Sequence, residues 1–221
     1  MAKPNSAVSA EAQAPKVIRL RRIEDMVLVT RIEGKTPLIP HRWSEKAIRM
    51  MAEKQQQETT TSAKPQREPK NPEQEAHDSC YWLDVTDDGG NTVTKGAMPA
   101  TAFKASMVGA CRFYGGITMV QAKQLFYVEG SGADQLVPID GEPVMRQDTP
   151  RNATGVADLR YRMMFYPWSA TLRVRYIPTM IDPDSVLALL DAGGKGGVGD
   201  WRPSSPKSST GTFGQFSVME G

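Results

Sequence analysis

Four arginines recur two apart on neighbouring apolar segments, Arg160 and Arg162 in RYRMMF and Arg173 and Arg175 in LRVRY, and the glycine-dense stretch GGKGGVGDWRP follows at 193–203. Guanidinium groups at a period of two share one side of a strand. Gathered there they repel one another unless an anion lies across them, and a phosphate backbone is such an anion. The glycines add a second capacity, because backbone without a Cβ lets a bulky ligand come close. Lys195, Arg202 and Lys207 flank or sit within this region, Gly196, Gly197 and Gly199 would present backbone amides, and Trp201, Phe213 and Tyr166 offer rings. A base stacked on such a ring gains roughly 1–3 kcal/mol. The competing reading makes the arginines the solvated face of an antiparallel sheet, balanced by Asp148, Asp158 or Glu33.

A second loop with chemical potential is GKTPLIPHRW at 34–43, which holds Lys35, His41 and Arg42. An imidazole can take a proton from a 2′-hydroxyl near neutral pH, so His41 is a candidate general base for RNA cleavage. The sequence sets no second catalytic group beside it, and the favoured reading has His41 and Arg42 positioning phosphate while Trp43 packs or stacks. No catalytic residue is therefore assigned. The glycine stretch follows a helical pattern instead of joining a first strand to a helix, and no ribose-binding acid is suitably spaced, which excludes a dinucleotide fingerprint. No GK[ST] phosphate loop is present either. His77 and Cys80 have the spacing of two metal ligands but lack two more, so no metal and no cofactor is expected. Cys80 and Cys111 form no CxxC pair and fit a reducing compartment.

These residues need elements to position them. The chain of 221 residues is 39 % hydrophobic, enough for one domain with a sizeable core, and 27 Lys and Arg against 25 Asp and Glu leave a formal charge of only +2. Any nucleic-acid contact must then rest on local patches. Residues 1–22 read as a disordered tail with neither a signal peptide nor a membrane anchor, which points to the cytoplasm, and residues 23–221 as one domain. Residues 26–33 pattern as a strand, 45–54 as a basic helix capped by Ser44, and about 55–76 as a mobile polar insertion. In 101–114 the residues Phe103, Met107, Ala110 and Tyr114 share a helical face ended by Gly115-Gly116. Strands are expected at 125–128 and 136–139, and loop or edge structure at 141–150. Residues 160–166 and 170–177, joined through Pro167-Trp168-Ser169, are predicted to form a hairpin with the four arginines on one face. A helix from Pro183 ended by Gly193-Gly194, and a last strand at 213–218, complete the order. The large elements then run βαββαβ, an α+β ferredoxin-like (RRM-like) core with insertions and a C-terminal glycine-rich loop.

With the segment IEGKTPL at 32–38, this order of elements, and the helix, glycine loop and aromatic strand of 183–218, the chain resembles the repeat-associated mysterious proteins (RAMP superfamily), especially the backbone subunits of CRISPR effector complexes. It is also similar to small uncharacterised bacteriophage proteins carrying PHRWS and GGVGDWRPSSPKSxTGTFG segments. The first resemblance implies an open sheet face and adjoining loops that clasp single-stranded RNA, and subunits joined head to tail as a homo-oligomer or filament within a larger ribonucleoprotein. Relatives that cleave RNA do so with an acidic residue in the loop after the first strand, where this chain has His41 and no Asp. The second implies the cytoplasm of a bacterial host cell. Together these readings predict a non-catalytic binder of single-stranded RNA, or secondarily DNA, through Lys35, His41, Arg42, Arg160, Arg162, Arg173, Arg175, Lys195, Gly196, Gly197, Gly199, Trp201, Arg202 and Lys207. The competing functions are a phage structural or protein-interaction component and a metal-independent endoribonuclease.

Overall fold

The computed structural model describes residues 20–43, 45–56, 71–87, 89–149, 159–206 and 209–219. In chain order the strand β1 (Met26–Gly34) is followed by helices α1 (Glu45–Gln56) and α2 (Pro72–Asp78), strands β2 (Tyr81–Thr86) and β3 (Thr92–Pro99), and helices α3 (Ala100–Ala110) and α4 (Met119–Leu125). Strands β4 (Phe126–Glu129), β5 (Leu136–Pro138), β6 (Pro143–Asp148), β7 (Arg160–Phe165) and β8 (Ser169–Tyr176) come next, then α5 (Pro183–Gly196) and β9 (Phe216–Val218). The insertion expected at 55–76 is shorter than its composition suggests: α1 reaches Gln56 and α2 starts at Pro72, capped by the Asn71 side chain on the Gln74 amide, while 57–70 fall outside the described residues. Ser44 and residues 1–19 fall outside them too.

The protein is α+β, with antiparallel sheets. Its principal sheet runs in the order β4-β8-β1-β9, with every neighbouring pair antiparallel. Along β8 the residues Ala170, Leu172, Val174 and Tyr176 are buried and Thr171, Arg173 and Arg175 exposed, the period-2 pattern of a sheet covered on one side. The buried set shares one core with Phe103 and Met107 of α3 and Val186 and Leu190 of α5. A smaller sheet is ordered β2-β3-β5, and β6 pairs with β7 in a two-stranded ribbon. Four elements went unforeseen: α2, β2, β3, and α4, whose Thr118 and Gln121 complete a reciprocal capping box legible in the sequence.

The predicted hairpin of 160–166 with 170–177 does not form. β7 pairs with β6, whereas β8 lies between β1 and β4. The cause is at the joint. Trp168 is buried, its indole N–H donates to the Thr36 carbonyl at 2.8 Å, and its ring lies so close to Gly34 that a Cβ there would sit 2.1 Å from Nε1. Phe165 exchanges backbone hydrogen bonds with Leu38, while Ser169 exchanges them with Asp140. The chain therefore turns a corner around a buried indole, and its two sides enter different sheets. Arg162 is consequently buried on the ribbon, far from the register that would have aligned it with Arg173 and Arg175.

Gly193 and Gly194 do not end α5, which continues to Gly196 and closes where Gly197, at φ +70°, donates its amide to the Gly193 carbonyl. The pair serves close packing instead. A Cβ on Gly193 would lie 3.0 Å from α3 backbone, and one on Gly194 would lie 1.9 Å from the Phe216 carbonyl oxygen. Likewise the last strand is confined to Phe216–Val218, because Phe213 turns away to pack on Trp201. Gly194→Ala is expected to cost about 1–3 kcal/mol through forced separation of α5 and β9. Gly109→Ala in α3, where a Cβ meets nothing within 4 Å, is expected to gain about 0.5–1 kcal/mol. Chemical denaturation of the two variants checks both signs, and equal effects would contradict the packing account.

Candidate nucleic-acid interface

The two loops singled out by sequence meet in space. Beyond β1 the backbone passes Pro37, Leu38 and Ile39, and these residues anchor the glycine loop directly: Asp200 donates its amide to the Ile39 carbonyl at 2.9 Å and Gly214 to that of Pro37 at 2.8 Å. Val198, buried in the core, donates to Gly214. Gly199 has φ +78°, and a Cβ on it would sit 2.5 Å from the Ile39 carbonyl oxygen, so glycine is required twice over. The stretch expected to be a flexible loop is a packed, hydrogen-bonded turn. The Gly197 amide, expected to face a ligand, is instead donated to the Gly193 carbonyl, and those of Val198 and Asp200 are donated within the protein too.

Asp200 is the hub of the side chains. Its Oδ2 lies 3.1 Å from His41 Nδ1 and 3.0 Å from Arg162 Nη1. Burial pushes the Asp200 carboxyl upward, but the His41 hydrogen bond and the charges of His41, Arg162 and Arg202 outweigh it and hold the pKa below the ordinary value. Arg162 and Arg146 are direct cross-strand partners on β7 and β6, and both guanidinium groups lie over the Trp201 ring, at 5.3 and 5.5 Å. Arg146 also lies 5.1 Å from the Phe213 centroid and pairs with Asp148 at 2.8 Å. Trp201 and Phe213 thus carry the protein's own cations on their rings, and the expectation of free base-stacking platforms is corrected accordingly.

A groove of about 680 Å³ opens beside this hub, bounded by His41, Arg112, Arg202, Ser204, Tyr81 and the first turn of α3. Among the described residues Asp200 is the only carboxylate that lines it. Arg202 is held by a bond from Nη1 to the Gly199 carbonyl (2.9 Å) and Arg112 by one from Nε to the Gly109 carbonyl (2.9 Å), and both residues line the cleft. Pro99 caps α3 without any side-chain hydrogen bond.

No family model matches this chain, and no curated protein does.

The remaining predicted residues are scattered. Arg173 and Arg175 lie exposed on the open side of the principal sheet, where both bind Glu129, Arg173 Nε at 3.0 Å and Arg175 Nη2 at 2.6 Å. Hydrogen bonds from Arg175 and then Arg173 hold the Glu129 carboxyl below its usual range. Their repulsion is relieved inside the protein, by an acid other than those expected. Tyr127, Val27 and Val29 share that face by register. Arg160 is exposed on the ribbon, opposite Asp148. Lys35 pairs with Glu33 at 2.6 Å, Lys195 approaches Asp191 at 3.8 Å within α5, and Gly196 accepts from the Ser204 amide. Arg42 is half-buried and donates its amide to Ser79. Lys207 lies outside the described residues. The structure therefore brings His41, Gly197, Gly199, Arg162, Trp201 and Arg202 together and divides the four arginines between the ribbon and the open face of the principal sheet.

Sequence reasoning missed Asp200, Arg112, Arg146 and Glu129 as functional partners. Among the described residues no group of three His, Cys, Asp or Glu is placed to hold a metal. His77 stacks on Trp82, and burial pushes the Cys80 thiol up to about 11.

Asp200→Asn is expected to cost about 3 kcal/mol at neutral pH, since it leaves the Arg162 guanidinium buried without its counter-charge. The folded pKa of Asp200 is depressed, so its contribution is complete above the unfolded value of about 3.9 and disappears as pH falls through the lower folded value. The stability gap between wild type and Asp200→Asn should narrow below about pH 4. Denaturant melts from pH 3 to 7 measure this, and a constant gap would rule out the assignment.

Proposed function

We propose that this protein binds single-stranded nucleic acid, RNA ahead of DNA, without catalysis, on a ferredoxin-like core of the RAMP kind, and self-associates along the strand. The core reading is supported by the sequence of β1, α3, β4, β8, α5 and β9, with β9 beside β1 and β8 between β1 and β4, the split β-α-β arrangement. The other segments are then insertions.

The observation that carries the binding reading is the groove that Arg112 and Arg202 line together with glycine backbone, where the carboxylate among the described lining residues, Asp200, is already bound to His41 and Arg162. A polyanion entering it meets two guanidinium groups and the first turn of α3, whose N-terminal end favours negative charge although the Ala100 amide is already donated to the Gln135 carbonyl. Arg173, Arg175 and Tyr127 on the open sheet face would guide the strand beyond the groove, with phosphate competing for arginines that Glu129 now holds. Trp201 serves from behind, by fixing Arg146 and Arg162 and so the loop that carries Arg202.

One observation favours a second reading. Asp200 orients His41 through Nδ1, the arrangement that prepares an imidazole for proton transfer, at the mouth of the same groove. A metal-independent endoribonuclease would release discrete products with chelator present, and lose them in His41→Ala.

Fluorescence anisotropy with matched single-stranded RNA and DNA oligomers over a salt series tests the first reading. We expect saturable binding that weakens steeply with salt. Arg112→Ala with Arg202→Ala should weaken it tenfold or more, and flatten the log–log salt slope by about 1.4, corresponding to two phosphate contacts at roughly 0.7 each. An unchanged slope, or no binding at low salt, overturns the assignment.

A further inference from the structure

Phosphate contacts alone do not tell an unpaired strand from a duplex, since both carry the charged backbone. A preference for single strands needs a contact that only an unpaired base can make, and an uncovered aromatic face supplies one. Most rings near the basic surfaces are already occupied. Trp201 lies under Arg146 and Arg162, and Tyr127 on the open sheet face has the Lys104 ammonium over its ring at 5.7 Å. Trp82 stacks on His77 with centroids 4.8 Å apart, and Trp168 is buried.

Trp43 differs from all of these. It is 57 % exposed, the most exposed of the four tryptophans, and it belongs neither to the core nor to the residues packed against it. The segment that carries it is nonetheless fixed in place. Its neighbour Arg42 is half-buried and donates its amide to the Ser79 carbonyl at 2.9 Å, two residues before Tyr81, which lines the groove of Arg112 and Arg202. The Trp43 ring meets the His41 ring edge to face, with centroids 5.7 Å apart and planes at 81°. His41 lines the same groove and is itself tied to Asp200. The indole therefore stands one ring's distance outside the groove, braced through His41 and open to solvent.

We propose that Trp43 is the base-stacking residue of this groove: a strand whose phosphates lie on Arg112 and Arg202 sets an unpaired base on the exposed indole. A duplex cannot do so, because stacking within it covers the faces of its bases. Every base has a π face, so the contact selects unpaired nucleotides without selecting sequence. This inference rests on the nucleic-acid binding proposed above and adds to it the residue that makes single strands preferred.

Fluorescence anisotropy with three RNA probes of equal length tests it: a single strand, the same strand built from abasic nucleotides, and the duplex. Wild type should bind the base-bearing strand roughly tenfold more tightly than the abasic one. Trp43→Ala should lose that preference, binding the base-bearing strand about tenfold more weakly while its affinity for the abasic strand and the duplex, and its salt slope, stay unchanged. Trp43→Phe, which keeps a ring, should retain most of the preference. If Trp43 only braced His41 or the start of α1, Trp43→Ala would weaken all three probes alike, and the proposal would be overturned. A wild type that binds base-bearing and abasic strands equally, or a Trp43→Ala variant that keeps the preference, would overturn it as well. Those outcomes leave the phosphate contacts of Arg112 and Arg202 standing, whereas a wild type that binds none of the probes at low salt overturns both.

Discussion

Burying the Arg162 guanidinium costs several kcal/mol unless something replaces the water it loses, and the candidate site is organised around what replaces it. The side chain is only 7 % exposed. Asp200 supplies the counter-charge and Trp201 supplies a ring face, and these are consecutive residues of the glycine loop. Because the same carboxylate also holds His41, one side chain ties three chain segments: the loop after β1, the ribbon strand β7 and the turn after α5. The cross-strand pairing of Arg146 with Arg162 would ordinarily weaken the ribbon. Here Asp148 and Asp200 each take one of the two charges, and Trp201 lies under both.

The open face of the principal sheet solves the same problem with a different device. Glu129, on the edge strand β4, reaches both Arg173 and Arg175, so a single carboxylate serves two cations. Such a face retains a net positive charge while remaining stable without ligand. Its arginines are exposed and screened by salt, which would make exchange of carboxylate for phosphate cheap on the proposed reading, whereas the Arg162–Asp200 pair is shielded. The arginines that looked equivalent by spacing therefore divide into a structural group and an exchangeable group, and burial is what separates them.

Spacing alone exposed the strands β1, β7 and β8, the helices α1, α3 and α5, and the two loops, because each has a local signature. It also revealed the alternation within β8. Partnership was not legible. Whether β7 pairs with β8 or β6 depends on how Trp168 is seated against Gly34, a contact 134 positions apart in the chain, and nothing in RYRMMFYPWSA reports it. The distance from His41 to Asp200 is likewise set by where β1 and α5 leave the core. Asp200 was in view as part of GVGDWRP, but a carboxylate beside a tryptophan has no distinguishing period. Gly193-Gly194 misled for a related reason: glycine both ends helices and lets them touch, and only the neighbours Met107 and Phe216 decide which.

The glycine-dense turn then has a different physical meaning from the one its composition suggests. Gly197, Gly199 and Gly214 all have positive φ, and at each a Cβ would come within 2.8 Å of backbone carbonyl oxygen. They are glycine because the turn is tightly packed, not because it moves. A ligand that enters beside such a turn finds Arg202 already held by the Gly199 carbonyl, and gives up little of its binding energy to ordering the protein. Rigidity has a corresponding cost in adaptability: the turn cannot close over a strand. On the proposed reading, the electrostatic part of selectivity would come from where Arg112 and Arg202 sit in the groove, which would read charge along a backbone and not the bases attached to it.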